Sequence, residues 1–324
     1  MSIVWLFSCL VMWQLIPVGS RDFNTYLTNY TEIQSLPFTE LFSKEPIYSL
    51  SVWIASHLGV PGRAYFLTLA CLSLLVKFIG ISRLTINNAQ AIFLYMCSFF
   101  FVHEFTQIRV SLALGIWFIA LPYIVKNRKR YFLLTMLAVG VHYQAAVGLL
   151  LPVIIHRLTS KNIQLLFVVF VAIGLMLSPF MLFDKLGDSL IGLIPDPRTE
   201  IYFSMRDYSN WDRPNPFSFI CLFSFLIPIY VLYFQKNDKI ASSLMSKMVI
   251  SNSLLLGVSA FILFSSIPVA AFRLGEHFFC LIPVQWANLV SNRSRQFQMV
   301  SIVLLGFLLT YIFVFRAPYL MVPT

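Results

Sequence analysis

Acidic side chains are scarce in this 324-residue chain, with thirteen Asp and Glu against 23 Lys and Arg, for a formal charge of +10. Charged residues of both signs make up only 11% of it. A soluble core of this length could not hide the 59% of hydrophobic and 16% of aromatic residues, at a mean hydropathy of +0.80. The P-loop pattern G-x-x-x-x-G-K-S/T, a G-x-G-x-x-G after a strand, H-E-x-x-H and G-x-S-x-G are all missing, which excludes the common phosphate cradles, the zincin helix and the nucleophile elbow. No soluble domain offers a place for a nucleotide sugar, so an enzyme here must draw its substrate from the membrane or the external space. Internal repeats are also missing, which argues against transporter plans built from related halves. The five cysteines, Cys9, Cys71, Cys97, Cys221 and Cys280, lie in apolar stretches without metal-type pairing and read as small buried hydrophobes. The basic residues are scattered between apolar runs rather than massed on one polar face, which disfavours nucleic acid and fits a positive-inside bias.

What is present is a series of apolar runs of roughly 17–25 residues, long enough to cross a bilayer as helices. In hydrocarbon each backbone amide must be satisfied within its own segment. The expected fold is therefore all-α, a polytopic transmembrane helix bundle forming one integral membrane domain over 1–324. Candidate spans are 2–18, 64–82, 89–103, 108–125, 163–183, 217–234, 247–267, 272–290 and 297–316, about nine crossings. The first run has no basic residue before it and no A-x-A site, and reads as an uncleaved span. Residues 47–58 are too short to cross and read as a short interfacial helix. The stretch 131–155 is interrupted by Gly140, His142 and Gln144. It reads as a hairpin, either two re-entrant half-helices meeting near His142 or two tightly packed full spans.

Orientation follows from the basic loops. Lys126, Arg128, Lys129 and Arg130 mark the cytoplasm, supported by Lys236, Lys239, Lys247, Arg293 and Arg295. A single crossing at 131–155 would turn every later basic loop outward, whereas a hairpin keeps all of them inside. The N-terminus is then cytoplasmic and the C-terminus external. Of the thirteen acids only Asp238 faces the cytosol. Two outer loops, 19–46 and 184–216, are long.

A charge near the bilayer centre costs about 2.5–3.5 kcal/mol on insertion scales, so the few that are kept are candidates for function. Four groups stand out, each with a plainer structural reading beside it. Asp22 and Tyr26 follow the first span, with Glu45-Pro46 further on, in what is otherwise a hydrated loop. His103, Glu104, Gln107 and Arg109 form a short polar turn between two spans, where Glu104 or Gln107 would satisfy Arg109. His142 sits with Tyr143 and Gln144 inside an apolar run, as a catalytic group or a packing histidine. Arg273, Glu276 and His277 are i, i+3 and i, i+4 neighbours on one helix face, a local ion pair in the plainer reading. The loop 184–216 adds Arg198, Arg206 and Arg213 beside Trp211, forks and rings suited to sugar and phosphate, although six acids accompany them.

These residues resemble a family. Val18-Gly19-Ser20-Arg21-Asp22-Phe23-Asn24-Thr25-Tyr26, then Glu45-Pro46, is similar to the V-G-T-D-x-x-x-Y and E-P opening of EpsG-type proteins. Ile108-Arg109 before Leu112-Ala113, a basic loop, and then His142-Tyr143-Gln144-Ala145 resembles that family's I-R-x-x-x-A and H-x-x-A stretch. Arg273 is similar to its later arginine. The arginine often found before V-G-T-D is here Gln14 or Leu15, with Arg21 nearby, and the glutamine often found after I-R stands before it as Gln107. The resemblance implies a Wzy-like polymerase of surface polysaccharide (O-antigen, capsule or exopolysaccharide) in the bacterial inner membrane. It would be a metal-independent glycosyltransferase without a cofactor, moving a growing glycan from undecaprenyl diphosphate to another lipid-linked repeat unit. A flippase and a chain-length regulator are the implied partners, besides membrane lipid. On that basis Arg109 and Arg273 would hold the diphosphate. His142, Glu104 or Glu276 would be the base. Asp22, Tyr26, Glu45, Gln107, Arg198, Arg206, Trp211, Arg213 and His277 would bind glycan. A lipid-linked oligosaccharide flippase or exporter, an O-antigen ligase and an O-acetyltransferase are the competing readings.

Overall fold

A computed structural model describes residues 2–20, 22–43, 45–158, 161–180, 186, 188–189, 214–234, 245–291 and 293–316. Among these residues every regular element is helical. The α-helices run α1 Ser2–Gly19, α2 Phe23–Ser35, α3 Pro46–His57, α4 Gly62–Leu84, α5 Asn88–Met96, α6 Ile108–Ala120, α7 Tyr123–Lys126, α8 Arg128–Val141, α9 Leu151–Arg157 and α10 Lys161–Leu177. They continue as α11 Phe219–Ile229, α12 Ser251–Leu263, α13 Pro268–Phe279, α14 Ile282–Val290 and α15 Arg295–Thr310. The chain forms two compact units, Met1–Leu149 with Trp286–Thr324 and Leu150–Gln285, divided inside α14.

Two helices among the described residues are long and apolar enough to cross a bilayer alone: Gly62–Leu84, 23 residues at mean hydropathy 2.0, and Arg295–Val314, 20 residues at 2.2. Five more expected spans form shorter apolar helices, Ser2–Pro17, Ile108–Ala120, Asn162–Leu177, Phe219–Phe234 and Met248–Leu263. At about 1.5 Å per residue, helices of this length fall short of the ~30 Å hydrocarbon core. The remaining two expected spans are broken. In 89–103, α5 ends at Met96 and the Ser98 hydroxyl turns back on the Leu94 and Tyr95 carbonyls at 2.7 and 3.3 Å. In 272–290, the chain turns between Phe279 and Ile282.

In the first unit α4 and α6 pack most closely, because two glycines let the backbones meet. A β-carbon on Gly80 would lie 2.5 Å from Phe118 Cβ, and one on Gly115 would lie 3.1 Å from the Lys77 nitrogen. Small residues at such crossings are how helices associate where lipid offers no hydrophobic gain. The stretch 19–46, expected as a loop, is largely helical. In α2, Phe23, Tyr26, Tyr30 and Ile33 are buried at spacings of three and four, one stripe that packs on α3 and α4. Tyr26 packs against Phe66 with ring centroids 5.2 Å apart and the rings tilted, and the Tyr30 hydroxyl donates to the Val60 carbonyl. Gly59, at φ +73°, makes the turn from α3 to α4.

The segment 128–149 turns back on itself. α8 stops at Val141, and His142 is extended (φ −156°, ψ 127°) before a 3₁₀ stretch, Tyr143–Leu150. From Tyr131 to His142 the helix rises about 16 Å. The Tyr131 hydroxyl, which accepts from Trp117 Nε1 at 3.2 Å, nevertheless donates to the carbonyl of Gly148. The chain has therefore returned to the level of Tyr131 within six residues of the break. Gly148 must be glycine for this return, since a β-carbon there would sit 2.6 Å from Trp117 Nε1.

In the second unit α12 and α13 pack through Gly257, where a β-carbon would fall 2.7 Å from Phe278 Cβ. Phe261 fills the seam against Phe272 and Phe279, at centroid distances of 5.5 and 5.9 Å. Buried amides are paired there: Gln164 donates to Asn252 at 3.3 Å and Gln285 to Ser251 at 3.0 Å.

Candidate functional site

Glu45 organises the candidate site. It precedes Pro46, the first residue of α3, and a residue before proline is pushed away from helical geometry. It therefore sits at the helix N-cap, where its carbonyl accepts from Ser49 at 2.8 Å and its side chain is free to turn inward. Glu45 Oε2 accepts from Arg109 Nη1 at 2.6 Å, while Oε1 meets His142 Nδ1. Residues 45, 109 and 142 come from three separate elements, and local packing delivers each one. Arg109 is on the first turn of α6, directly after the π-helical turn Phe101–Thr106, a kind of local widening that is common at functional sites. His142 is brought in by α8, whose Gly140 lies flush on Ile47 of α3: a β-carbon there would be 2.6 Å from Ile47 Cδ1.

The guanidinium lies over the rings of two tyrosines. Arg109 Cζ lies 4.9 Å from the Tyr48 ring centroid and 5.4 Å from that of Tyr26. The Tyr26 hydroxyl donates to the Thr106 carbonyl at 3.1 Å, tying α2 to the π-turn, and the Tyr48 hydroxyl donates to Asn29 Oδ1 at 3.1 Å. Burial pushes both phenols above the ordinary tyrosine range, with the Arg109 charge opposing it. Both remain neutral donors at physiological pH.

This cluster forms one wall of a cavity of about 420 Å³, lined among others by Asn29, Glu32, Glu40, Glu45, Tyr48 and Arg109. Its size is that of a small-ligand site. Glu32 and Glu40 are exposed, and Glu45 and Tyr48 are buried. The cavity thus runs from solvent to a buried carboxylate clamped by a guanidinium and an imidazole.

Of the residues expected in the site, Tyr26, Glu45, Arg109 and His142 come together. Asp22 lies one turn before Tyr26, whose amide donates to the Asp22 carbonyl at 3.0 Å, and Gln107 joins the π-turn to α6. Glu104, expected among the candidate bases, is instead sealed away. It is fully buried and pairs with Lys77 at 3.3 Å, both side chains at 0% exposure. Its Oε1 also accepts from Tyr95 at 2.9 Å and Ser111 at 2.6 Å. His103 lies 3.4 Å from Lys77 in the same cluster. Arg273 is exposed, Glu276 half-buried and His277 buried on α13 of the second unit. The expectations placed on Arg198, Arg206, Trp211 and Arg213 lie outside the described residues.

Sequence reasoning missed Tyr48, Asn29, Glu32, Glu40 and Lys77. The apolar stripe of α2 was a signal that 19–46 contains a packed helix. A lysine in the middle of the apolar run 64–82 was a signal for a buried partner.

A family model described as the EpsG family matches residues 1–322. No curated protein and no solved structure matches the chain.

Proposed function

Since the chain belongs to the EpsG family, we propose that it is an integral membrane glycosyltransferase of polysaccharide biosynthesis. It would join lipid-linked oligosaccharide repeat units into a long polymer at the outer face of the inner membrane. Family membership supports the polymerase-type activity and the membrane location. The single observation that carries the mechanistic reading is Glu45, held between Arg109 and His142 on the cavity wall.

In this reading the cavity holds the sugar terminus of the acceptor unit. An acceptor hydroxyl gives its proton to the Glu45–His142 pair, and its oxygen attacks C1 of the donor sugar. The C1–oxygen bond to the lipid diphosphate breaks, and the electron pair leaves with the diphosphate. Arg109 keeps the Glu45 carboxylate in place through a charge-assisted hydrogen bond, with its guanidinium over the rings of Tyr26 and Tyr48. Arg273, on α13 of the second unit, is proposed as a cation for the departing diphosphate. Glu104 is a scaffold group in this scheme, because it sits in the sealed Lys77 cluster. The hairpin expected at 131–155 is proposed to enter the bilayer from the cytoplasmic side and return, which keeps every basic loop inside.

Arg109→Ala and Arg273→Ala, expressed in the native host, should reach the membrane in normal amount while long polymer disappears and single-repeat material accumulates. Wild-type chain length in both variants would eliminate the assignment. Loss of all attachment to the final carrier would instead indicate a ligase.

A further inference from the structure

Ser111 follows Arg109 by two residues on α6, about 200° around the helix, so the two side chains leave nearly opposite faces. Arg109 reaches Glu45 at the cavity. Ser111 is fully buried on the side of α4. A serine hydroxyl offers one donor and two acceptor positions, and here all three are filled. Ser111 Oγ accepts from Ser73 at 2.7 Å and from Lys77 Nζ at 2.5 Å, and it donates to Glu104 Oε1 at 2.6 Å. Ser73 and Lys77 are one turn apart on α4, and Glu104 belongs to the π-turn that leads into α6. One hydroxyl therefore ties α6 both to α4 and to the turn before it. The contacts at Gly80 and Gly115 bring the same two helices together, but van der Waals contact is weakly directional. Hydrogen bonds weaken steeply away from their geometry, so the Ser111 bonds set the roll and the rise of the first turn of α6. Glu45 is placed by separate packing, with α3 lying on α8 at Ile47 and Gly140. The 2.6 Å bond from Arg109 to Glu45 is where the two sets of packing meet.

We propose that Ser111 is a positioning residue for the transfer: by fixing α6 on α4 it holds the Arg109 guanidinium at Glu45. Its side chain is sealed from solvent and meets no substrate, so it acts only through Arg109. The inference rests on the reading that Glu45 and Arg109 serve the reaction.

The test compares full chains in lipid nanodiscs, extending lipid-linked repeat units purified from the native host. Ser111→Thr and Ser111→Val have nearly the same volume, so the pair separates the hydroxyl from the fit of the added carbon. Ser111→Val should lower kcat by about tenfold to a hundredfold, the effect of a group displaced by up to an ångström, with KM within about twofold of wild type. Ser111→Thr should keep kcat within about threefold of wild type. In an Arg109→Lys background the valine change should cost at most about twofold more, because the arrangement it serves is already lost. Ser73→Ala removes one of the three bonds and should cost about threefold in kcat, again only while Arg109 is present. That variant carries the test if Ser111→Val does not fold. Wild-type kcat in folded Ser111→Val would overturn the proposal. So would Ser111→Thr as slow as Ser111→Val, or losses that multiply in full with Arg109→Lys. Wild-type polymer length in Arg109→Ala cells would bring down the catalytic reading itself. A defective Arg109→Ala beside a fully active Ser111→Val would bring down the positioning role alone, so the two failures are separable.

Discussion

The first unit contains two charged clusters built from the same ingredients: a carboxylate, a cation, a histidine and tyrosine. In one, Glu45 with Arg109, His142, Tyr26 and Tyr48 faces a 420 Å³ cavity. In the other, Glu104 with Lys77, His103 and Tyr95 has no exposed side-chain surface on either ion-pair partner. Access separates them. An open carboxylate can exchange a proton with a substrate. A sealed one can only fix the elements that carry it, here α4, α5, α6 and the π-turn before Arg109. Buried ion pairs contribute little net stability because desolvation offsets their attraction, yet breaking one side leaves an uncompensated charge. The sealed cluster is therefore costly to break and chemically silent, whereas the cluster at Glu45 reaches a cavity through Arg109 and can act on what enters it.

The largest effect expected from this contrast is on the open side. His142→Ala should lower the rate of glycan extension by about 10²–10⁴, the usual contribution of a positioned proton-transfer group, with a melting temperature close to wild type. Next comes the sealed pair. Lys77→Met alone should cost about 3–5 kcal/mol in denaturant unfolding in detergent, and adding Glu104→Leu should recover most of that loss. If the double variant were no more stable than the single one, the idea of a sealed pair would fail. Arg109→Lys keeps the charge but loses the planar fork over two rings, and should reduce extension by about tenfold to a hundredfold, equivalent to a charge-assisted hydrogen bond of about 1.5–3 kcal/mol. Tyr48→Phe should have the smallest effect, a few-fold loss from the missing bond to Asn29, of about 0.5–1.5 kcal/mol. Because burial raises the phenol pKa values of Tyr26 and Tyr48, both stay protonated through the ordinary tyrosine range. The alkaline limb of the pH–rate profile below about pH 10 should therefore be the same in Tyr48→Phe and wild type.

Much of this architecture was legible in the residues. Apolar runs marked the helices, and the polar triplet His142-Tyr143-Gln144 marked the break where the chain turns back. Tyr26, Glu45, Arg109 and His142 were picked out by residue type and by order along the chain, although 97 positions separate Glu45 from His142. Their convergence depends on glycine contacts such as Gly140 on Ile47, which periodicity does not reveal. Glu104, expected among the bases and close to Arg109 in sequence, pairs with Lys77 instead of Arg109. A carboxylate five residues before an arginine points to a different neighbour once a π-turn intervenes, and the neighbour here is Lys77 on α4. The helical nature of 23–35 was hidden by its polar composition, with only the Phe23–Tyr26–Tyr30–Ile33 stripe to announce it. Tyr48 carried no signal of its own, since a tyrosine in an apolar dozen reads as packing.

The most direct test of the open cluster is an extension assay with purified protein and lipid-linked repeat units, comparing wild type with Glu45→Gln. The account predicts a ladder of lengthening products for wild type and only the starting unit for the variant, with equal amounts of folded protein in both. A variant ladder as long and as fast as that of wild type would contradict it.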